Sequence, residues 1–205
     1  MRGGGKRALL AREAAYRGSV SHLRERLRAL PTFPETMPTL DPEAVPTHPL
    51  ELFTAWLDDA IDSGERQPSA FTLSTIGDDG APASRTLIVK DVDERGLQFS
   101  STRGSRKAAE LEVRPVATAL FFWRPLGRQV EVSGFVTELG ADAAQADWRE
   151  RPSYAGEPNP DWVLWALEPT RFVFLQATLD RKHVRVEYLR GGDGWEHRQP
   201  LTPAG

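Results

Sequence analysis

Two runs that alternate apolar and polar residues, 71–76 and 83–90, flank the tetrapeptide Gly77-Asp78-Asp79-Gly80. A period of two on either side of a Gly/Asp turn reads as an antiparallel hairpin. The rest of the chain repeats the pattern. Asp93-Glu94-Arg95-Gly96 turns into a run at 97–102, and Arg124-Pro125-Leu126-Gly127 joins runs at 116–123 and 128–139. Runs at 171–178 and 182–189 precede Gly191-Gly192-Asp193-Gly194. Helical spacing is confined to short stretches. One starts near Pro49, with Leu50, Phe53, Leu57 and Ile61 along one face; another follows Ser105; a third covers 141–149. Pro152, Gly156, Pro158 and Pro160 make 152–161 a loop. Many antiparallel strands with short connections and few helices predict a mainly β fold, a small β-barrel with peripheral helices.

Residues 1–30 read as a basic arm with one short helical stretch carrying Leu23, Leu27 and Leu30. Six prolines between 31 and 49 forbid a helix there and favour an extended surface strap. The expected division is an arm and strap over 1–49 and a barrel domain over 50–205. With a net charge of −3 there is no global basic field to recruit nucleic acid. The absence of cysteine removes disulfides, cysteine–zinc sites and a cysteine nucleophile. The four histidines show no ligand spacing, so no metal is expected. No run is long enough for a membrane helix, and the first residues lack the apolar core of a signal peptide. The expectation is a soluble cytoplasmic protein.

Four clusters could carry chemistry. In Gly104-Ser105-Arg106-Lys107, Ser105 is a natural N-cap. Arg106 and Lys107 then fall in the first helical turn, where the macrodipole disfavours cations. The stretch reads either as a solvated basic turn or as the seat of an anion such as phosphate. Arg85-Thr86-Leu87-Ile88-Val89-Lys90 places Arg85, Leu87 and Val89 on one strand face and Thr86, Ile88 and Lys90 on the other. Gln129, within Arg128-Gln129-Val130-Glu131-Val132, offers a donor and an acceptor to a heteroaromatic edge. Arg181, His183 and Arg185 alternate, which would set three cationic or potentially cationic groups on one strand face.

Taken in order, these pieces resemble the pyridoxamine 5'-phosphate oxidase family of FMN-dependent split-barrel proteins. The resemblance covers roughly 50–205 and includes Arg128-Gln129-Val-x-Val-x-Gly134 and Arg151-Pro152. It implies a homodimer with FMN at the subunit interface. Arg106 and Lys107 would hold the FMN phosphate. Arg85, Thr86, Leu87, Ile88, Val89 and Lys90, with Ser100 and Ser101, would follow the ribityl chain and ring edge. Gln129 and Arg185 would also contact FMN. Lys90 and Arg151 would bind the phosphate of a phosphorylated pyridine substrate, beside Arg181 and His183. The implied reaction is hydride transfer from pyridoxine or pyridoxamine 5'-phosphate to the flavin, with reoxidation by dioxygen. Arg181 and His183 would assist at the substrate ring.

The chain departs from that pattern in one region. Only a short Pro-rich loop separates Pro152 from Glu168, where the family carries a helical insert. Asp147 stands where the family has a phosphate-binding tyrosine, the region of Ala155 lacks its serine, and Leu175 replaces a tryptophan. Trp148, Tyr154, Trp162 and Trp165 surround the shortened loop and read either as pocket walls or as core. Three readings stay open: oxidation of a B6 phosphate ester, oxidation of another substrate such as a secondary metabolite on the same scaffold, and flavin binding without turnover.

Overall fold

The computed structural model describes residues 22–31 and 33–200. Residues 22–28 are helical and belong to a unit that ends at Phe33; the body of the molecule begins at Pro34. The predicted helical stretch in the arm lies in that first unit, and residues 1–21 of the arm lie outside the described residues.

The body is mainly β. Its strands are β1 (Ala70–Ile76), β2 (Pro82–Ile88), β3 (Asp91–Asp93), β4 (Gly96–Thr102), β5 (Val116–Trp123), β6 (Arg128–Glu138), β7 (Trp162–Gln176), β8 (Val184–Gly191) and β9 (Gly194–Arg198). Three helices accompany them: α1 (Pro49–Asp62), α2 (Arg106–Val113) and α3 (Ala141–Arg149). The sheet runs β2-β1-β5-β6-β7-β4-β3, with β8 pairing with β7 and β9 with β8. Every pairing is antiparallel.

The two ends of this order meet through the chain itself. Just after β2, the Val89 amide donates to the Ser69 carbonyl beside β1. The next amide, Lys90, donates to the Gln98 carbonyl on β4. Two adjacent residues therefore carry the chain from one end of the sheet to the other and close it into a barrel.

Strand β7 splits the sheet. Trp162–Leu167 pair with β4, whereas Arg171–Gln176 pair with β8. The exchange happens at Glu168-Pro169, opposite a register shift between Ser133 and Gly134 on β6. Proline suits such a bulge because no ladder hydrogen bond is asked of it. Gly134 is required there: a Cβ would lie 1.9 Å from the Glu168 carbonyl oxygen.

The barrel interior is aromatic. Phe71, Phe99, Phe121, Phe172 and Phe174 point inward, and α1 presses Phe53 and Trp56 onto them. The helix starts as expected, with Pro49 in its first turn and the His48 ring accepting from the Leu50 amide. Its buried face is Leu52, Phe53, Trp56 and Ala60, rotated from the predicted one, and Ile61 is exposed. Arg128, only 5% exposed, fastens α1 to the sheet. It donates to Asp59 and Gln176 and stacks 4.4 Å over Trp56. The proline strap from Pro34 onward lies along the body: Leu40 and Val45 pack on the core, and the buried Tyr188 hydroxyl donates to the Pro46 carbonyl. Burial pushes the Tyr188 pKa up to about 12. No described helix is long and apolar enough to cross a membrane.

Replacing Gly134 by alanine should force β6 and β7 apart. The expected loss is about 3 kcal/mol, or roughly 6–12 °C in thermal midpoint at this chain length. A thermal melt with a shift below about 2 °C would show that the close approach is not needed.

Candidate functional site

At the start of α2, Ser105 is the N-cap, accepting from the Ala108 amide. The Ser101 hydroxyl donates to it. Arg106 and Lys107 occupy the first turn, as the sequence predicts. The sequence reading missed Glu110, one turn later and 4% exposed. Its Oε1 accepts from Arg106 Nε at 2.7 Å, and its Oε2 accepts from Arg85 at 2.7 Å and from the Thr75 hydroxyl at 2.5 Å. Arg85 also donates to Thr75. The Thr75 hydroxyl bond, then Arg85 and Arg106, hold the Glu110 carboxyl below the ordinary glutamate range against the opposing effect of burial.

The electrostatic misfit of two cations at a helix start is thus partly answered from within the chain. Glu110 engages Arg106 and Arg85 and leaves Lys107. Lys107 is half-buried and makes no ion pair with any described residue. Burial, then the charge of Arg85, pushes its pKa down, with Glu110 opposing. Asp78 and Asp79 line a depression of about 340 Å³ on the Arg106 side.

A second group lies on the outer face of the barrel. Phe122 pairs with Gln129, Gln129 with Leu175, and Leu175 with Arg185, so these four form one row across β5, β6, β7 and β8. Thr86 and Ile88 on β2 share this outward orientation, while Arg85 and Leu87 face inward and Val89 is buried in the core. Leu87 and Val89 can therefore meet a ligand only through their backbone.

The alternation that placed Arg181 in line with His183 and Arg185 does not hold. Strand β8 begins at Val184, and Arg181 sits in the preceding turn with φ 63°, its amide bonded to the Thr178 carbonyl. His183 folds back so that Nδ1 accepts from the Thr178 amide at 3.0 Å. A neutral ring in that bond carries its proton on Nε2.

The third group surrounds α3. Lys90 Nζ lies 3.6 Å from Asp147 Oδ1, and Asp147 Oδ2 accepts from Trp162 Nε1 at 2.7 Å. They border a cavity of about 500 Å³ whose wall includes Gln98, Ala143, Ala146, Glu150 and Leu164. Ser100 follows Gln98 by two residues, on the same face of β4; its buried hydroxyl has no hydrogen-bond partner among the described residues. Arg151 stacks 4.3 Å over Trp162 and 5.4 Å over Trp148, with its buried Nε likewise unpartnered. Of the four aromatics around the shortened loop, Trp165 belongs to the core, stacked on Phe99. Trp148, on α3, packs against Trp162 at the start of β7.

The chain thus brings Arg85, Ser101, Arg106 and Lys107 to one place, Gln129 and Arg185 to another, and Lys90, Ser100 and Arg151 to the α3 side. A family model described as pyridoxamine 5'-phosphate oxidase matches residues 57–182. A pyridoxine/pyridoxamine 5'-phosphate oxidase of Thermosynechococcus vestitus is 35% identical, over 72% of this chain and 86% of its own length. One from Bordetella petrii is 31% identical, over 80% and 94%. The chain belongs to the pyridoxamine 5'-phosphate oxidase family. Among solved structures, PhzG from Burkholderia lata 383, in complex with tetrahydrophenazine-1-carboxylic acid, superposes with a TM-score of 0.76. It is 27% identical and covers 81% of this chain and 99% of its own. An FMN-binding protein of Nostoc punctiforme, 20% identical with a TM-score of 0.65, shares the fold over 78% of this chain and 99% of its own. Membership of the family brings FMN as the cofactor and oxidoreduction as the class of chemistry.

Glu110→Gln should destabilise the fold by about 3 kcal/mol near neutral pH, because Arg85 loses its buried counter-charge. The lowered pKa means that the carboxylate's contribution is present above the ordinary glutamate range and fades as pH falls through the folded value. Denaturant titrations of both proteins should therefore converge in acid. A constant difference down to the acid limit would show that Glu110 contributes nothing as a charge.

Proposed function

We propose that this chain is an FMN-dependent oxidoreductase that works as a homodimer, oxidises a small ring compound, and passes the electrons to dioxygen. The observation that carries the reading is Lys107: a half-buried cation with no ion pair among the described residues, in the first turn of α2 and beside Ser101, Ser105 and Arg106. Positive charge, hydroxyls and backbone amides at a helix start suit a phosphate monoester. Arg106 and Lys107 would hold that phosphate, with Arg85 kept in place by Glu110. Thr86 and Ile88, the backbone of Leu87, Val89 and Lys90, and Ser100 would follow the rest of the cofactor.

Gln129 and Arg185 lie on the outer barrel face, apart from the α2 cluster. A cofactor contacting both groups would draw on two copies of the chain. Exposed Phe122, Ile88 and Phe135, on the outward faces of β5, β2 and β6, support an interface there.

Bound FMN supplies a two-electron acceptor. The protein's part is to bind, orient and polarise. Arg181 would place a positive charge beside the substrate ring, where charge changes during oxidation. His183, held by the Thr178 amide, would present Nε2–H as a donor to a ring substituent. The names of the relatives support pyridoxine or pyridoxamine 5'-phosphate as substrate. Asp147 beside Lys90 favours the second reading, a different substrate on the same scaffold.

Protein purified without added cofactor should be yellow, release FMN, and elute in light scattering as a dimer. Colourless protein that also refuses added FMN would overturn the reading. Lys107→Ala should weaken FMN at least about tenfold, the loss of one charge-assisted phosphate contact. Arg181→Ala should leave FMN bound and slow the anaerobic bleaching of the flavin by substrate. Unchanged bleaching would remove Arg181 from the mechanism.

A further inference from the structure

Resting on the proposed function, with the cavity beside Lys90 and α3 taken as the seat of the substrate, we propose that this chain selects a substrate without a phosphate group, whose hydroxyl- or amine-bearing end enters between Lys90 and α3. The cavity is built against a dianion. Lys90 is the one cation in its wall, and three carboxylates, Asp91, Asp147 and Glu150, share that wall with it. Asp147 is not a rim residue free to turn away. Its side chain is 9% exposed, Oδ1 lies 3.6 Å from Lys90 Nζ, and Oδ2 holds the indole N–H of Trp162 at 2.7 Å. Rotating the carboxylate would leave that buried N–H unpaired, which is costly.

A phosphate reaching Lys90 would therefore come as close to a fixed anion as to the cation. Attraction and repulsion at matched distances cancel to first order. Arg151 does not make up the deficit. It is not part of the cavity wall, and its guanidinium is committed to the faces of Trp162 and Trp148.

The same wall suits a hydroxyl or ammonium group. Asp147 can accept a further hydrogen bond through its remaining lone pairs, and Gln98 adds an amide. Ala143, Ala146 and Leu164 supply apolar surface for a ring.

The test compares 4-deoxypyridoxine with its 5'-phosphate. The pair differs only in the phosphate, and neither member carries an oxidisable group at C4'. Binding to the FMN-loaded dimer is measured by calorimetry, and flavin content is read from absorbance in the same samples. In the wild-type protein the phosphate ester should bind no more than about threefold more tightly than the parent. Asp147→Asn keeps the acceptor for Trp162 and removes the charge. It should shift the ratio of the two affinities toward the ester by about tenfold or more.

A wild-type preference of about tenfold or more for the ester would overturn the proposal, and this ratio needs no variant to fold. An Asn variant with no shift toward the ester would also overturn it, including the case where wild type binds neither ligand. Wild type that binds neither, with an Asn variant that gains the ester alone, would support it. Protein that takes up no FMN would instead count against the cofactor reading, while the ratio of the two ligands is still measured.

Discussion

Strands β6 and β7 approach so closely at Gly134 that a methyl group there would lie 1.9 Å from the Glu168 carbonyl oxygen. The layout of the sheet depends on this contact. It lets β7 change partners at Pro169, from β4 on one side of the bulge to β8 on the other. One long strand thereby serves both the closed barrel and the β8–β9 extension. Arg185 reaches the outer row with Gln129 because β8 attaches to the second half of β7. Trp162 reaches Asp147 because the first half of β7 runs beneath α3.

Barrel closure at Val89 and Lys90 has a similar reach. Successive amides bonded to Ser69 and Gln98 fix the backbone at the seam. Lys90 therefore emerges beside β4, facing α3, and not on the open outer face with Thr86 and Ile88. A residue at the end of an alternating strand is read from sequence as continuing the alternation. At a seam the chain turns, and the side chain goes to a different neighbour.

What was legible in the sequence had local causes. The turns at 77–80, 93–96, 124–127 and 191–194 are marked by glycine, aspartate and proline, and strands β1, β2, β4, β5 and β6 follow from alternation beside them. The first half of β7 was not legible. Residues 162–167 are buried without a break, so no period of two exists, and Pro169 resembles a loop signal. Strand β9 is short and mostly polar and went unpredicted. The even spacing of Arg181 from Arg185 predicts a shared strand face; the turn from Thr178 intervenes. Glu110 stands four residues after Arg106, a visible helical pairing. Its burial depends on Thr75 and Arg85 of other strands, which sequence spacing does not reveal.

Two carboxylates divide the labour among the cations of this protein. Glu110 engages Arg85 and Arg106 and spares Lys107, so the start of α2 keeps a charge to offer an anion. Asp147 engages Lys90, the single cation of the α3 cavity, and leaves none there. The first arrangement orients a basic cluster; the second cancels one. Both acids lie on helices packed against the barrel, and both are held by a neutral donor as well, Thr75 in one case and Trp162 in the other. A neutral donor makes a carboxylate tolerable in a buried place without consuming a cation. Charge counts over the whole chain miss this. What decides whether a basic residue can receive an anion is whether a neighbouring acid has been fixed on it.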